Sequence, residues 1–199
     1  MDGDIAAAAS LLERGADPNT RVRSQSQAPI LLVALGWRTN PNMRILGAAQ
    51  ELALKSKPII WLLLEAGADF NTPAPDGTTA LLLAVCLAWQ DVLEYLLDNG
   101  ADINACNTWT GHTALMLAAQ SNDADILQLL LDRGADINRQ DRYGNTALML
   151  AARLKHTRIV QTLLERNADI HCKHRNGVDT ALSFAQLSQA TEIISLLQR

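Results

Sequence analysis

Three residues near the C-terminal end of the sequence, His171, Cys172 and His174, have side chains that could bind a metal ion. Imidazole and thiolate groups are common zinc ligands, but a zinc site needs a second ligand pair at a suitable spacing, and the sequence offers none. We therefore interpret the three residues as part of an exposed turn, and we expect neither a metal nor another cofactor.

The other two histidines give no better indication of catalysis. His112 comes directly before a Thr in a predicted turn, and His156 lies at the start of a predicted helix. Neither has an obvious nucleophile or carboxylate dyad beside it in the sequence, and the glycines form no phosphate-binding loop. The protein is therefore not expected to be an enzyme.

The composition of the chain limits which classes of partner it can bind and indicates where in the cell it is found. The formal net charge of −4 disfavours nucleic acids and anionic membranes, because both select basic surfaces. Three cysteines at no disulfide or metal-ligand spacing indicate free thiols in a reducing compartment. With no signal peptide and no apolar run long enough to cross a bilayer, we expect a cytoplasmic or otherwise intracellular protein.

The sequence contains a repeated pattern, and the structure that this pattern forms must position any functional side chains. The string Gly-Ala-Asp-x-Asn, or a close variant, ends each unit, and Thr-Ala-Leu opens the helical part of the unit in constant phase with it. The first string occurs at 15–19, 67–71, 100–104 and 134–138, with the variant at 167–171, and the second begins at Thr79, Thr113, Thr146 and Thr180.

Each unit predicts two short helices. A turn glycine precedes the Thr, which is a good N-cap for a first helix such as ALMLAAQ. A second helix with an apolar stripe, such as DILQLLLDR, ends at a residue type that accepts the left-handed conformation, such as Gly134 or Asn167. A single pair of helices cannot bury its faces, so neighbouring units must stack.

This pattern resembles the ankyrin repeat, with Thr-Ala-Leu-Met at 113–116 and 146–149 in place of the family's Thr-Pro-Leu-His. The resemblance implies an all-α fold, an ankyrin-repeat solenoid of helix-turn-helix units joined by β-hairpin-like loops, with Met packing where the family has His. We expect a single domain over residues 1–199. Its predicted parts are a half repeat (1–19), a repeat with an insertion (20–71), three regular repeats (72–104, 105–138 and 139–171) and a C-terminal capping repeat (172–199).

The insertion lies at about 38–57, between the two helices of its repeat. Asn40-Pro41 is a helix-start signal and apolar residues recur at helical spacing after it, so we predict an additional amphipathic helix over 41–56. Trp61 falls at a position that is polar in the other repeats, so it needs a cover. Either the insertion packs on Trp61, or the two form a knob that binds a partner.

The two ends of the chain differ. Residues 3–19 match only the second helix of a repeat, which favours a fragment of a longer protein over an end covered by another element. Polar residues from Ser183 to Ser195 predict a capped and natural C-terminal end.

The repeated Asn residues leave the second helix and enter the hairpin. We predict that Asn19, Asn71, Asn104 and Asn138 make local backbone hydrogen bonds. The family resemblance also implies that such Asn residues can be hydroxylated.

The resemblance places a binding surface on the concave side, formed by the hairpin tips and the first helices. Trp109 and Tyr143 are large aromatics in turns, and they either bind a partner or shield neighbouring loops. Aromatic and Arg side chains often dominate interface energies. The predicted partner-binding residues are Arg21, Arg23, Trp109, Arg142, Tyr143, Arg153, Lys173 and Arg175.

The leading prediction is a protein–protein interaction module that binds a protein partner, with an acidic or mixed peptide segment as the expected ligand. The alternative is a regulatory or targeting fragment of a larger multidomain protein whose activity lies outside this chain. Nucleic acid and membrane partners are not expected.

Overall fold

The structure, a computed structural model, describes residues 9–20, 29–34 and 48–198. The chain divides into two compact units, unit 1 over Met1–Ala101 and unit 2 over Asp102–Arg199. Both units are built from helices; in the described residues the extended structure amounts to isolated bridges such as the antiparallel pair Cys106 and Thr113.

Unit 1 begins with a helical segment over 9–13. It continues with helices α1 (Ile30–Ala34), α2 (Ala48–Glu65), α3 (Ala80–Cys86) and α4 (Gln90–Asp98). Helix α1 packs on α2 and α3, and α3 packs on α4. The core of this unit is almost entirely aliphatic, with Leu31, Ile60, Leu81 and Leu93 all close to zero exposure.

Unit 2 contains three helix pairs. They are α5 (Ala114–Ser121) with α6 (Ala124–Asp132), α7 (Ala147–Arg153) with α8 (Thr157–Glu165), and α9 (Ala181–Leu187) with α10 (Thr191–Leu197). First helices pack on first helices, α5 on α7 and α7 on α9, while α8 packs between α6 and α10. Stacking of consecutive pairs therefore gives unit 2 a continuous core.

The predicted Thr caps are confirmed in the regular repeats. The side-chain oxygens of Thr79, Thr113 and Thr146 accept hydrogen bonds from backbone N–H groups three residues later, over 3.3–3.4 Å. Such a cap satisfies a helix donor that would otherwise have no partner. Met116 and Met149, predicted to replace the family His by packing, are each only 1% exposed.

The predicted helix ends are confirmed as well. Gly134 has a φ of +85° and Asn167 a φ of +61°, so both adopt the left-handed conformation that ends a second helix. Asn tolerates this conformation because its short amide can bond locally, which explains why it can replace Gly there.

The insertion differs from its prediction. A separate helix over 41–56 is wrong, because α2 runs without a break from Ala48 to Glu65 and includes the second helix of the repeat. Residues 41–47 lie outside the described part of the chain. Pro58 lies inside α2 and leaves the carbonyl of residue 54 without its usual N–H donor. In the repeat register Pro58 corresponds to first-turn residue Asp91, a place where Pro is tolerated.

Trp61 packs against a residue that the sequence did not suggest as its neighbour. Its ring packs edge-on against Tyr95 of α4, with 5.2 Å between ring centroids and an interplanar angle of 84°. Nearby, Lys57 forms an ion pair with Asp91 at 2.7 Å and lies 5.7 Å from the ring centroid of Trp89. Trp61 is half-buried, so α4 supplies packing that we had expected only from the insertion.

The prediction of local hydrogen bonds for the repeated Asn residues is wrong. The amide oxygens of Asn19, Asn104 and Asn138 accept the backbone N–H of an Asp in the following repeat, at 2.6, 2.9 and 2.8 Å respectively. The Asp of each string makes the local bond instead, as when Asp136 accepts the N–H of Asn138 at 3.0 Å. The Asn residues therefore connect repeats, a role that the sequence within one repeat does not reveal.

The polar C-terminal repeat makes bonds both within itself and to its neighbour. Ser183 Oγ accepts the backbone N–H of Thr180 at 3.2 Å, and Ser188 Oγ donates to the carbonyl of Ala152 at 3.2 Å. At the other end, residues 9–13 are helical as predicted, and Leu11 is 56% exposed although its equivalent Leu96 is fully buried.

Candidate interaction surface

The three residues that resembled a zinc site make separate contacts. Cys172 Sγ donates to Asp169 Oδ2 at 3.5 Å, and the His174 ring packs edge-on against Phe184. Burial and the neighbouring Asp169 raise the pKa of the Cys172 thiol, which disfavours the thiolate that zinc binds. Across residues 9–20, 29–34 and 48–198 there is no cluster of three or more His, Cys, Asp or Glu side chains that could hold a metal ion.

His112 has a carboxylate partner that the sequence did not indicate. Its Nε2 lies 3.3 Å from Asp141 Oδ2, and the Asp141 side chain is fully buried. Asp141 also accepts hydrogen bonds from the backbone N–H groups of Tyr143 and Asn145 and from the Asn145 amide. The pair belongs to two successive repeats, and it holds the loop of the second repeat in shape.

The balance of forces on His112 favours the neutral imidazole. Burial lowers its pKa, Asp141 acts in the opposite direction, and the positive charge of Arg153 adds to the lowering. His112 therefore adds no positive charge to this surface at neutral pH.

The predicted partner-binding residues fall into two groups. Arg21 and Arg23 lie outside the described residues. The other six are all exposed, with Trp109 at 62% and Tyr143 at 54%. The exposed group comprises Trp109, Arg142, Tyr143, Arg153, Lys173 and Arg175.

Five of these six lie on three successive hairpin tips, and we call Trp109, Arg142, Tyr143, Lys173 and Arg175 the tip surface. Trp109, Arg142 and Arg175 each stand two residues before the turn glycine of their repeat. The Arg142 N–H donates to Thr110 O at 2.9 Å, and the Arg175 N–H donates to Tyr143 O at 2.8 Å. These equivalent bonds place the three side chains in register on adjacent tips.

The second and third of these tips enclose a shallow cleft of about 530 Å³. Its two sides are joined by Gln140, whose Nε2 donates to Gly144 O and to Lys173 O, each at 2.8 Å. Arg175 Nη1 also donates to Arg142 O at 3.0 Å. The cleft is lined by Gln140, Asp141, Arg142, Gly144, Lys173 and Arg175.

Arg153 lies apart from the tips, at the end of α7. Its guanidinium carbon is 5.8 Å from the ring centroid of Phe184, which makes a cation–π contact with the next first helix. Leu154, directly after α7, and Leu187, the last residue of α9, are 43% and 74% exposed. The sequence did not single out Phe184, because its ring contact depends on packing between repeats.

Charge is distributed unevenly over unit 2. Two ion pairs connect the region of α8 with α6: Arg158 Nη2 lies 4.0 Å from Asp125 Oδ1, and Arg166 Nη2 lies 2.5 Å from Asp132 Oδ1. Around the tips the pattern is different: in the described part of the chain, no carboxylate lies within 4.0 Å of the charged groups of Arg142, Arg153, Lys173 or Arg175. These four cations therefore form no ion pair with the described carboxylates.

A search of curated proteins found no significant match to the chain. Among the described helices, none is both long and apolar enough to cross a bilayer. A family model of three successive ankyrin repeats matches residues 45–141 and 106–174, more than half of the chain. Ankyrin repeats are generally non-catalytic modules for protein–protein interaction. The family match, the Thr-capped helix pairs and their stacking together show that the chain belongs to the ankyrin-repeat family.

Proposed function

We propose that unit 2 binds an acidic or mixed-charge peptide segment of another protein through the tip surface and Arg153. The observation that carries this proposal is the combination of two exposed aromatic rings with four cations that have no carboxylate partner in the described residues. Exposed aromatic and Arg side chains are the types that contribute most to interface energies.

The backbone of the tip surface favours binding because it is already ordered. The bonds from Arg142 N–H to Thr110 O and from Arg175 N–H to Tyr143 O fix the spacing of the tips before a partner arrives. A surface that needs no loop ordering loses less conformational entropy on binding, so more of the contact energy remains as affinity.

The test uses the full chain and peptides selected on it from a random peptide library. Binding is measured by fluorescence polarisation for the native chain and for a Trp109→Ala/Arg142→Ala variant. Loss of one aromatic and one Arg contact is expected to weaken binding by roughly tenfold or more.

The matched control is an Arg158→Ala/Arg166→Ala variant, which removes one arginine of α8 and the arginine that directly follows α8. This control is expected to change affinity by less than about threefold, because exposed ion pairs contribute little and lie away from the tips. Circular dichroism confirms folding of both variants. A folded Trp109→Ala/Arg142→Ala chain that keeps full affinity for the selected peptides would falsify the proposal.

A further inference from the structure

The cleft between the second and third tips gathers three cations around one small space. Arg142 lines one side, and Lys173 and Arg175 line the other. All three are exposed, and the described residues place no carboxylate within ion-pair distance of them. Like charges that line one cleft repel one another, so an anion that enters the cleft stabilises the arrangement.

The walls of the cleft are held in place before any anion binds. Gln140 bridges the two tips through one amide nitrogen, and Arg175 uses one guanidinium nitrogen to donate to Arg142 O. The guanidinium of Arg175 keeps its other N–H groups for a ligand. The contact between the tips is also close, because a Cβ on Gly144 would lie 2.5 Å from the backbone nitrogen of Arg175.

The positive charge of the cleft is larger than one carboxylate ligand could neutralise. Its lining contains a single acidic residue, Asp141, whose fully buried side chain already accepts three N–H hydrogen bonds and contacts His112. Three cations and this one buried carboxylate leave a net positive charge. Its magnitude is close to the negative charge of a dianion, which would neutralise it.

We propose that this cleft binds the phosphate group of a phosphorylated serine or threonine in the partner segment. The inference rests on the proposed function, because the phosphorylated side chain belongs to the peptide that the tip surface binds. A phosphomonoester carries nearly two negative charges and three acceptor oxygens, so it can accept from both guanidinium groups and the ammonium at once. A carboxylate offers two oxygens and one charge.

The distribution of charge favours a phosphorylated protein segment over a nucleic acid. A nucleic acid needs cations along a track that follows many phosphates. In this protein three cations meet at one cleft, two aromatic rings lie on the adjoining tips, and the whole chain has a net charge of −4. One phosphate among ordinary peptide side chains fits that surface.

The experiment measures binding of the full chain to three degenerate peptide libraries that differ only in a fixed central residue: phosphoserine, aspartate or serine. The phosphoserine library is expected to bind about tenfold or more tightly than either of the others. Lys173→Ala and Arg175→Ala are each expected to remove most of that preference, while the Arg158→Ala/Arg166→Ala control retains it. Arg175→Lys, which keeps the charge but loses the planar fork, is expected to retain part of it.

The possible outcomes separate this inference from the proposed function. Equal binding of the three libraries, still weakened by Trp109→Ala/Arg142→Ala, overturns the phosphate site and leaves the peptide site standing. A phosphoserine preference that survives in folded Lys173→Ala and Arg175→Ala variants also overturns it. Tighter binding to a single-stranded RNA oligomer, or to vesicles containing a phosphoinositide, assigns the cleft to another partner and overturns it as well. No binding of any library overturns both proposals.

Discussion

At the residue scale, two tryptophans of this protein lie in opposite environments that their identity alone does not reveal. Trp61 is half-buried against Tyr95, whereas Trp109 is 62% exposed on a hairpin tip. Both fall at positions where the repeat pattern demands no large apolar side chain. The difference arises from the neighbouring repeat, which supplies a ring beside Trp61.

Replacing each tryptophan by glutamine separates packing from binding. Trp61→Gln is expected to lower the free energy of unfolding by about 1–2 kcal/mol, because it loses the edge-on ring contact and buried apolar area. Trp109→Gln is expected to change it by less than about 0.5 kcal/mol. Urea unfolding followed by circular dichroism measures both values. Equal values for the two variants would show that Trp61 contributes no more packing energy than Trp109.

A second prediction concerns the pH dependence of stability at His112. Because burial lowers the pKa of His112 in the folded chain, the unfolded chain binds this proton more readily. The contribution of neutral His112 to stability is fully present above the unfolded pKa of about 6.5, and it is lost as the pH falls towards the folded pKa.

The measurement compares thermal unfolding of the native chain and a His112→Gln variant at several pH values between about 5 and about 8. The difference in stability between the two chains is expected to shrink, or to change sign, as the pH falls below about 6.5. Parallel curves would show that His112 does not contribute in this way.

At the scale of elements, the sequence predicted the helix caps, apolar stripes and helix ends of the regular repeats. The Thr caps, the apolar stripes and the left-handed ends depend on residues within about one turn of each other, so their spacing is visible in the chain. Contacts between repeats are different, because their partners stand 29 to 31 positions apart in the sequence. The Asn138 bond to Asp169, the pairing of His112 with Asp141 and the contact of Arg153 with Phe184 were all missed for this reason.

The insertion shows a second limit of local patterns. Asn40-Pro41 and the apolar spacing after it predicted a helix of its own over 41–56, separate from the second helix of the repeat. In the structure α2 nevertheless continues through Pro58 from Ala48. The local pattern therefore predicted two helices where the folded chain has one continuous helix.

The closeness of neighbouring tips gives a third prediction. Gly134 and Gly144 both have a φ of +85°, but a Cβ on Gly134 would meet nothing within 4 Å, whereas one on Gly144 would lie 2.5 Å from Arg175 N. Gly134→Ala is expected to cost about 1 kcal/mol for the left-handed conformation alone. Gly144→Ala is expected to cost roughly 2 kcal/mol more, because the next tip must also move.

Urea unfolding of the two alanine variants tests this difference directly. Peptide binding gives a second readout, because a displaced third tip also moves Lys173 and Arg175. Similar stabilities for the two variants would show that the tips are not in close contact.

At the scale of the whole molecule, a negatively charged protein is proposed to bind an acidic ligand. The net charge of −4 repels such a ligand at long range, while the cations of the tip surface attract it at short range. The local attraction must dominate if the proposal is correct.

The fourth prediction follows from that balance. Affinity for the selected peptides is expected to fall as the salt concentration rises from about 50 to about 300 mM, because salt screens the contacts with exposed cations. The Arg142→Ala/Arg175→Ala variant is expected to show a clearly smaller dependence on salt. Affinity that rises with salt in the native chain would mean that long-range repulsion governs binding and that the tip surface is not the main attraction.

The Asn bonds between repeats bear on how such a chain can lengthen by duplication of its gene. A tandem copy of residues 105–138 would be joined by an unchanged connection, since each Asn138 would still face the backbone N–H of an Asp in the next unit. A tandem copy of residues 139–171 would not, because His171 stands where that Asn is needed. Duplication is therefore favoured for residues 105–138 over residues 139–171.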